Sequence, residues 1–369
     1  MVTIERISVR DCAVTVPPSK AHTLRALVLA SLAEGRSRVA NPLLGDDQLH
    51  LIECLRALGV SVTLIDGGTA IEIAGSGGRF SPIAESLDCG ESGVAMNFLS
   101  SLVPFSSRKI ALTGKEGLLR RPVDEIVSGV RQLGGRVDFA REEGFPPLLA
   151  SPSGLTGGVA RMQGAKTSQY FSSLAIASAL ASSDVRIECV DEMSERPYFD
   201  ITVEMMRRFG VEARNEGYKT IRVRSGQRYR PCDLTVESDY SSASYFIAAS
   251  SITGATVTLK GLSRETAQGD RKIIDYARSF GGSLEWKDDE LVASGRGTVP
   301  IDESFTDTPD LVPTVAAMAA FAEGTSRLRD GLPASGYPRA SRATTFLSRA
   351  IPRRSRLVTS GPSAITASR

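Results

Sequence analysis

Hydrophobic and polar positions in this chain fall into a recurring block. Residues 13–16 read as a short strand that runs into Pro17-Pro18, and Leu24, Leu27, Val28, Ser31 and Leu32 follow at helical spacing. A helix is therefore predicted to start between Ser19 and Thr23. Farther along, a helix ends in Leu or Phe, a Gly follows, and a strand begins. This happens at Leu58-Gly59-Val60, Leu133-Gly134-Gly135, Phe209-Gly210-Val211 and Phe280-Gly281-Gly282, with the first glycines 75, 76 and 71 residues apart. Gly is the usual residue where a helix closes in a left-handed conformation. Between these marks an Ala-rich helix ends in a small polar turn and a strand follows, near residues 35, 107, 183, 254 and 324, spaced by 72, 76, 71 and 70. A period in the seventies is too long for a solenoid unit and suits a βαβαββ-sized module used several times. Five such modules are visible. The predicted fold class is α/β (α+β), built by repetition.

Composition narrows the picture. At 369 residues the chain is long enough for two domains with real cores. A hydrophobic content of 41% and a charged content of 23% are ordinary for a soluble globular protein. No apolar run approaches the roughly 18 residues a membrane span needs. The opening Met-Val-Thr-Ile-Glu-Arg has no signal-peptide pattern. Five cysteines, Cys12, Cys54, Cys89, Cys189 and Cys232, are scattered with no CxxC, which suits a reducing cytosol and argues against a zinc site. With only His22 and His50, a His-rich metal centre or a His-based triad is disfavoured. The net charge of +2 conceals an asymmetry. Residues 331–369 hold seven Arg and no Lys, Asp or Glu, leaving 37 basic against 42 acidic side chains in residues 1–330. The main body is mildly acidic and carries no nucleic-acid stripe.

Candidate chemistry sits at helix starts. Lys20 stands at the entrance of the first helix and Arg25 about one turn inside, where free N–H groups and two cations make an anion site. The plain alternative is a surface Lys and Arg. Asp46-Asp47 precedes a helix expected over 48–58 and reads as an N-capping pair. Gly93 opens an amphipathic helix and would let a ligand approach the backbone, unless it is only part of a capping turn. Arg121 offers a bidentate fork for a carboxylate or phosphate, or is plain surface beside Arg120. Thr167, Ser168 and Gln169 enter a long apolar helix expected to reach residue 181, as a phosphate cradle or an ordinary cap. Asp310 either caps the Ala-rich helix that follows or accepts a proton from a ligand.

These stretches are similar to one family. Pro18-Ser19-Lys20, with Arg25-Ala26-Leu27 after it, resembles the opening signature of the enolpyruvyl transferases and, within them, the 3-phosphoshikimate 1-carboxyvinyltransferases. Ser92-Gly93-Val94-Ala95-Met96 is similar to the family's Asn-Ala-Gly-Thr-Ala-Met loop, and Arg121-Pro122-Val123 to its Arg-Pro-Ile/Val. Thr167-Ser168-Gln169-Tyr170 resembles Ser-Ser-Gln-Phe, and the run from Glu195 to Thr202 resembles Ser-Lys/Arg-Pro-Tyr-Ile-Asp-x-Thr. Val236-Glu237-Ser238-Asp239-Tyr240-Ser241-Ser242-Ala243-Ser244-Tyr245-Phe246 is a near-complete match to the family's crossover segment, and Gln268-Gly269-Asp270 matches as well. Pro309-Asp310, with Thr314 after it, resembles Ile-Pro-Asp-x-x-x-Thr.

The resemblance implies transfer of the enolpyruvyl group from phosphoenolpyruvate to the 5-hydroxyl of shikimate 3-phosphate, with phosphate released. Its fold is six βαβαββ modules in two domains, with the substrates between them. By that resemblance, residues 17–235 form one lobe, which binds shikimate 3-phosphate. Residues 1–16 and 236–330 form a second, incomplete lobe, and 331–369 is an atypical basic tail. It assigns Lys20, Arg25, Thr167, Ser168, Gln169, Tyr198 and Asp310 to shikimate 3-phosphate, and Lys20, Gly93, Arg121 and Gln169 to phosphoenolpyruvate. Asp310 is the general base, with Lys20 also catalytic. No metal and no organic cofactor is implied. A cytoplasmic monomer is expected, with no nucleic-acid or membrane partner.

Departures matter. Ala21 replaces a Ser that donates to the shikimate phosphate, Glu195 replaces another such Ser, and Asn97 stands where an Arg is common. Ser194 would serve in place of Glu195 with a one-residue slip. The family's late Lys-Glu-Ser/Thr-Asp-Arg and Asp-His-Arg segments are absent, and Pro352 falls in an expected helix. The expectation is a frame-shifted or truncated end after residue 332, and a chain inactive or severely impaired as written. The alternatives are an inactive member that binds shikimate 3-phosphate, and a UDP-N-acetylglucosamine enolpyruvyl transferase. The latter is discounted because Lys20 is followed by Ala21 and no Cys lies between Cys89 and Cys189.

Overall fold

The computed structural model describes residues 10–330, 343–348, 356–359 and 365–368. The chain divides into two compact units. One is Pro18–Val236; the other combines Met1–Pro17 with Glu237–Arg369. The expectations placed on the end of the chain fall for the most part outside the described residues.

The chain runs β1 (Cys12–Thr15), α1 (Lys20–Leu32), β2 (Glu34–Ala40), α2 (Asp46–Ala57), β3 (Ser61–Ile65) and β4 (Ala70–Ser76). Next come β5 (Ser86–Asp88), α3 (Gly93–Leu102), β6 (Ile110–Thr113), α4 (Glu116–Leu119), α5 (Asp124–Gln132), β7 (Arg136–Phe139) and β8 (Leu148–Ser151). The third block is β9 (Gly158–Met162), α6 (Gln169–Ser178), β10 (Val185–Cys189), α7 (Arg196–Arg208), β11 (Ala213–Glu216) and β12 (Thr220–Val223). After β13 (Leu234–Thr235) follow α8 (Tyr240–Thr253), β14 (Val257–Lys260), α9 (Ile273–Phe280), β15 (Ser283–Lys287) and β16 (Glu290–Ser294). A fifth block holds β17 (Asp302–Ser304), α10 (Val312–Ala319), β18 (Gly324–Arg329) and β19 (Ala343–Ser348), and then comes an antiparallel pair, β20 (Arg356–Thr359) and β21 (Ile365–Ser368).

The predicted repeat is present. Among the described residues, four four-stranded sheets run β13-β2-β4-β3, β5-β6-β8-β7, β9-β10-β12-β11 and β1-β14-β16-β15. In each, the first pair is parallel and the other two are antiparallel. The parallel pair needs a crossover, and a helix provides it. Two of the opening strands come from a distance in sequence. β13 pairs with β2, Leu234 opposite Val39, and β1 pairs with β14, Cys12 opposite Val257.

The glycine marks close helices as the pattern predicts. Gly59, Gly134, Gly210 and Gly281 have φ of +88°, +88°, +83° and +112°. At the end of α2, Val60 N–H donates to Leu55 O at 3.0 Å and Gly59 N–H to Arg56 O at 2.9 Å. The end of α7 repeats this, Val211 to Met206 and Gly210 to Arg207. This paired closure satisfies carbonyls that the helix leaves open.

Two kinds of helix result. The helices α1, α3 and α6 are buried nearly all round: His22 to Leu32, Ala95 to Leu102 and Tyr170 to Ser178 without a break. A helix apolar on every side belongs inside. The Ser173 hydroxyl on α6 donates to Asn97 O on α3 at 2.6 Å, which satisfies a polar group within that interior. The helices α2, α5 and α7 bury one face each. In the other unit, Tyr240, Phe280 and Phe305 are fully buried, and Tyr276 packs on Phe305 with ring centroids 4.8 Å apart.

Candidate active site

Helix α1 starts where the sequence places it. Ser19 caps it, its hydroxyl accepting from His22 N–H at 3.4 Å. Arg25 is 2% exposed, which overturns the surface reading. Its Nε donates to Thr202 Oγ1 at 2.7 Å, one terminal nitrogen to Ala21 O at 3.0 Å and the other to Tyr198 O at 2.7 Å. The guanidinium lies 5.5 Å from the Phe98 ring centroid. Burial brings its pKa down to about 10, opposed by Tyr198, so it stays charged at neutral pH. His22 is different. Burial, then the charges of Arg25 and Arg208, push it down to about 3 and keep it neutral.

Lys20, Gly93 and Arg121 come together around a residue the sequence reading gave another role. Asp47 is not a cap: Gly45 holds that position, and α2 already begins at Asp46. Asp47 instead forms an ion pair with Lys20. Burial pushes the Asp47 carboxyl up, but hydrogen bonds from Lys20 and Ser92 and the nearby Arg121 charge outweigh it and hold the carboxyl below its usual range. Ser92 caps α3, and Gly93 is that helix's first residue. A Cβ on Gly93 would lie 3.3 Å from an Arg121 terminal nitrogen, so glycine lets this cation close on the helix start. Arg121 itself is exposed. The Glu91 carboxylate lies against Gly117, where a Cβ would meet it at 2.6 Å.

The third group joins α6 to α7. Helix α6 is shorter than expected, ending at Ser178 rather than near 181. Thr167 donates through its hydroxyl to Glu195 Oε2 at 2.8 Å, and Ser168 through its hydroxyl to Glu195 O at 2.9 Å. Gln169 N–H donates to Thr167 Oγ1 at 3.2 Å, while the Gln169 side chain accepts from Asn97 at 3.0 Å. The hydroxyl of Ser194, the residue a one-residue slip would bring to the phosphate, donates to Gly164 O at 3.2 Å and Ala165 O at 3.4 Å. Tyr198 contributes its carbonyl to Arg25.

Asp310 belongs to the other unit. It is exposed on a short 3₁₀ turn, Pro309–Leu311, directly before α10. Buried Thr308, 3.0 Å from the Tyr276 hydroxyl, anchors that turn, and Thr314 and Ser244 bridge α10 to α8 at 3.0 Å.

Within Pro18–Val236 the contacts close a ring of helix starts. Asp47 and Ser92 join α1 to α3, Asn97 and Gln169 join α3 to α6, Thr167 and Glu195 join α6 to α7, and Arg25 returns from α1 to α7. Helix starts, hydroxyls and cations in one place bind anions. Among the described residues no three His, Cys, Asp or Glu gather as a metal cage would need, and no helix is long and apolar enough to cross a membrane.

Repeated βαβαββ modules in two units, with a ring of helix starts in one of them, match the enolpyruvyl transferase class of fold. A sequence profile described as EPSP synthase (3-phosphoshikimate 1-carboxyvinyltransferase) matches residues 4–332. The 3-phosphoshikimate 1-carboxyvinyltransferase of Sulfurovum sp. (strain NBC37-1) is 37% identical over 333 residues, 89% of this chain and 78% of that protein. Its counterpart from Cronobacter sakazakii is 37% identical over 332 residues, 89% and 77% of the two chains. The solved EPSP synthase of Acinetobacter baumannii superposes with a TM-score of 0.73 at 24% identity, over 87% of this chain and 73% of that one, and so shares the fold. The chain belongs to the EPSP synthase family, the 3-phosphoshikimate 1-carboxyvinyltransferases. It is a transferase of the shikimate pathway of aromatic amino-acid biosynthesis, acting on shikimate 3-phosphate and phosphoenolpyruvate.

Proposed function

We propose that the ring of helix starts in Pro18–Val236 is where this transferase holds its two anionic substrates. Shikimate 3-phosphate binds Lys20, Arg25, Thr167, Ser168, Gln169, Tyr198 and Asp310, and phosphoenolpyruvate binds Lys20, Gly93, Arg121 and Gln169. Asp310 takes the proton of the 5-hydroxyl, whose oxygen adds to C2 of phosphoenolpyruvate while C3 is protonated. Phosphate then leaves the tetrahedral intermediate as the C3 methyl gives up a proton, which restores the C2=C3 double bond and leaves the enolpyruvyl ether. Lys20 and Arg121 stabilise the charge of the reacting phosphate and carboxylate, fixed before the reaction by Asp47 and by the start of α3. Thr308 holds the Asp310 turn for its role as base. The reading takes the chain as a cytoplasmic monomer without nucleic-acid or membrane partners, in keeping with the acidic excess of residues 1–330.

The observation that carries this is the closed ring, in which four helix starts and their cations converge. Titrating shikimate 3-phosphate and then phosphoenolpyruvate into the full chain by calorimetry tests it. Binding of the first that strengthens binding of the second supports the assignment. Heat from neither ligand at millimolar concentration overturns it.

A further inference from the structure

We propose that Glu195 sets how strongly this enzyme discriminates the 3-phosphate of its substrate, acting as an internal anion on the phosphate subsite. The inference rests on the assignment of Thr167 and Ser168 to that phosphate. Glu195 occupies the N-cap of α7, the position where a side chain ordinarily turns inward to satisfy its own helix, and it does not do so. Its carboxylate reaches across to α6 and takes the Thr167 hydroxyl at 2.8 Å. Its carbonyl takes the Ser168 hydroxyl at 2.9 Å. Ser168 in turn makes no side-chain cap for α6, although it stands at that helix's N-cap. Both hydroxyls are therefore engaged by one residue.

The backbone supports the same view. Glu195 sits at φ 54°, ψ 39°, a left-handed conformation that a non-glycine residue adopts only when its surroundings impose it. The conformation presents carbonyl and carboxylate together to the start of α6. A phosphate arriving at Thr167 meets a carboxylate already on that hydroxyl. It must displace the carboxylate or bind beside it, and like charges at hydrogen-bond range repel. The wild-type chain then favours shikimate 3-phosphate over unphosphorylated shikimate less than the hydroxyls alone would allow.

Glu195→Gln separates charge from shape, since the amide oxygen still accepts from Thr167. Glu195→Asp keeps the charge. Dissociation constants for shikimate 3-phosphate and for shikimate are measured by calorimetry on the full-length wild type and both variants. The expected result for Glu195→Gln is shikimate 3-phosphate bound about tenfold tighter or more, with shikimate affinity unchanged, so the ratio of the two widens by the same factor. Glu195→Asp stays near wild type. A structural role alone would move both ligands together. Wild type binding shikimate 3-phosphate as tightly as Glu195→Gln, or more tightly, overturns the inference and leaves the assignment of the subsite standing. Failure of all three proteins to bind shikimate 3-phosphate overturns the assignment, and the inference with it.

Discussion

Arg25 and Arg121 stand in the same ring and are built in opposite ways. Arg25 is enclosed: Thr202, Ala21 and Tyr198 take its N–H groups, and Phe98 lies beside it. Arg121 is exposed, and what fixes it is the short approach to the start of α3 and the carboxylate of Asp47. A guanidinium has five donors, so Arg25 can brace two helices and still face a ligand. The price is that the binding role proposed for it cannot be removed without removing a brace. Arg121 carries no such duty. On the proposed assignment, one site thus contains a cation that is part of the fold and another whose role is almost purely functional.

Arg25→Ala tests the first half of the contrast and has the largest expected effect. It leaves the Thr202 hydroxyl and two carbonyls without their charged partner, at a cost of about 3 kcal/mol or more. In a unit the size of Pro18–Val236 the melting temperature should fall by roughly 6–12 °C. A melting temperature within 1–2 °C of wild type, read by calorimetric scan with circular dichroism, would remove Arg25 from the fold and break the comparison.

Arg121→Ala tests the second half. Loss of a charge-assisted contact should weaken phosphoenolpyruvate binding by about 1.5–3 kcal/mol, roughly 10- to 150-fold. Stability should change by no more than about 0.5 kcal/mol, as for an ordinary surface substitution. A large drop in melting temperature with phosphoenolpyruvate affinity intact would reverse the two roles.

The buried side carries a pH signature of its own. His22 is pushed down to about 3 by burial and by Arg25 and Arg208. The folded state keeps it neutral while the unfolded chain protonates it near its ordinary value of 6.5, so the unfolded state holds more protons between those limits. Stability should therefore fall as pH drops from about 6.5 toward 3, by at most about 1.4 kcal/mol per pH unit from this group. Denaturant midpoints across that range check it. His22→Gln should flatten the slope, and Arg121→Ala should leave it in place.

Legibility in the sequence follows the same division. The seventy-residue repeat could be read because left-handed closure at Gly59, Gly134, Gly210 and Gly281 is a local backbone demand that only glycine meets at low cost. Lys20, Gly93, Thr167 and Gln169 could be placed at helix starts because start signals are local too. What could not be read is partnership across the fold. Asp47 looks like a cap until α1 and α3 bring Lys20 and Ser92 to it. Arg25 looks like surface until α7 supplies Thr202, 177 residues away. β13 finds its partner β2 from the far end of the unit, Leu234 opposite Val39. Each depends on contacts that no spacing along the chain encodes.

Tyr170→Phe has the smallest expected effect and asks how an exposed arginine is kept in position. The Tyr170 hydroxyl, on buried α6, donates to Pro122 O at 2.9 Å, so the residue after Arg121 is tied to the interior. Burial and the nearby Asp124 and Glu125 push the phenol's pKa up, so it remains a donor at any working pH. Lys166 adds a second tie, its Nζ 2.8 Å from Asp124 Oδ2 at the start of α5. Phe keeps the packed ring and removes only the hydroxyl, and the Pro122 carbonyl, on an exposed residue, can turn to water. The tether is then worth about 0.5–1.5 kcal/mol, a two- to tenfold loss in phosphoenolpyruvate affinity. Shikimate 3-phosphate affinity should hold, because Thr167, Ser168 and Gln169 enter α6 ahead of Tyr170 and keep their own contacts. Equal losses for both ligands would mean that Tyr170 acts through α6 as a whole. Arg121 would then be positioned by the start of α3 and Asp47 without the tether.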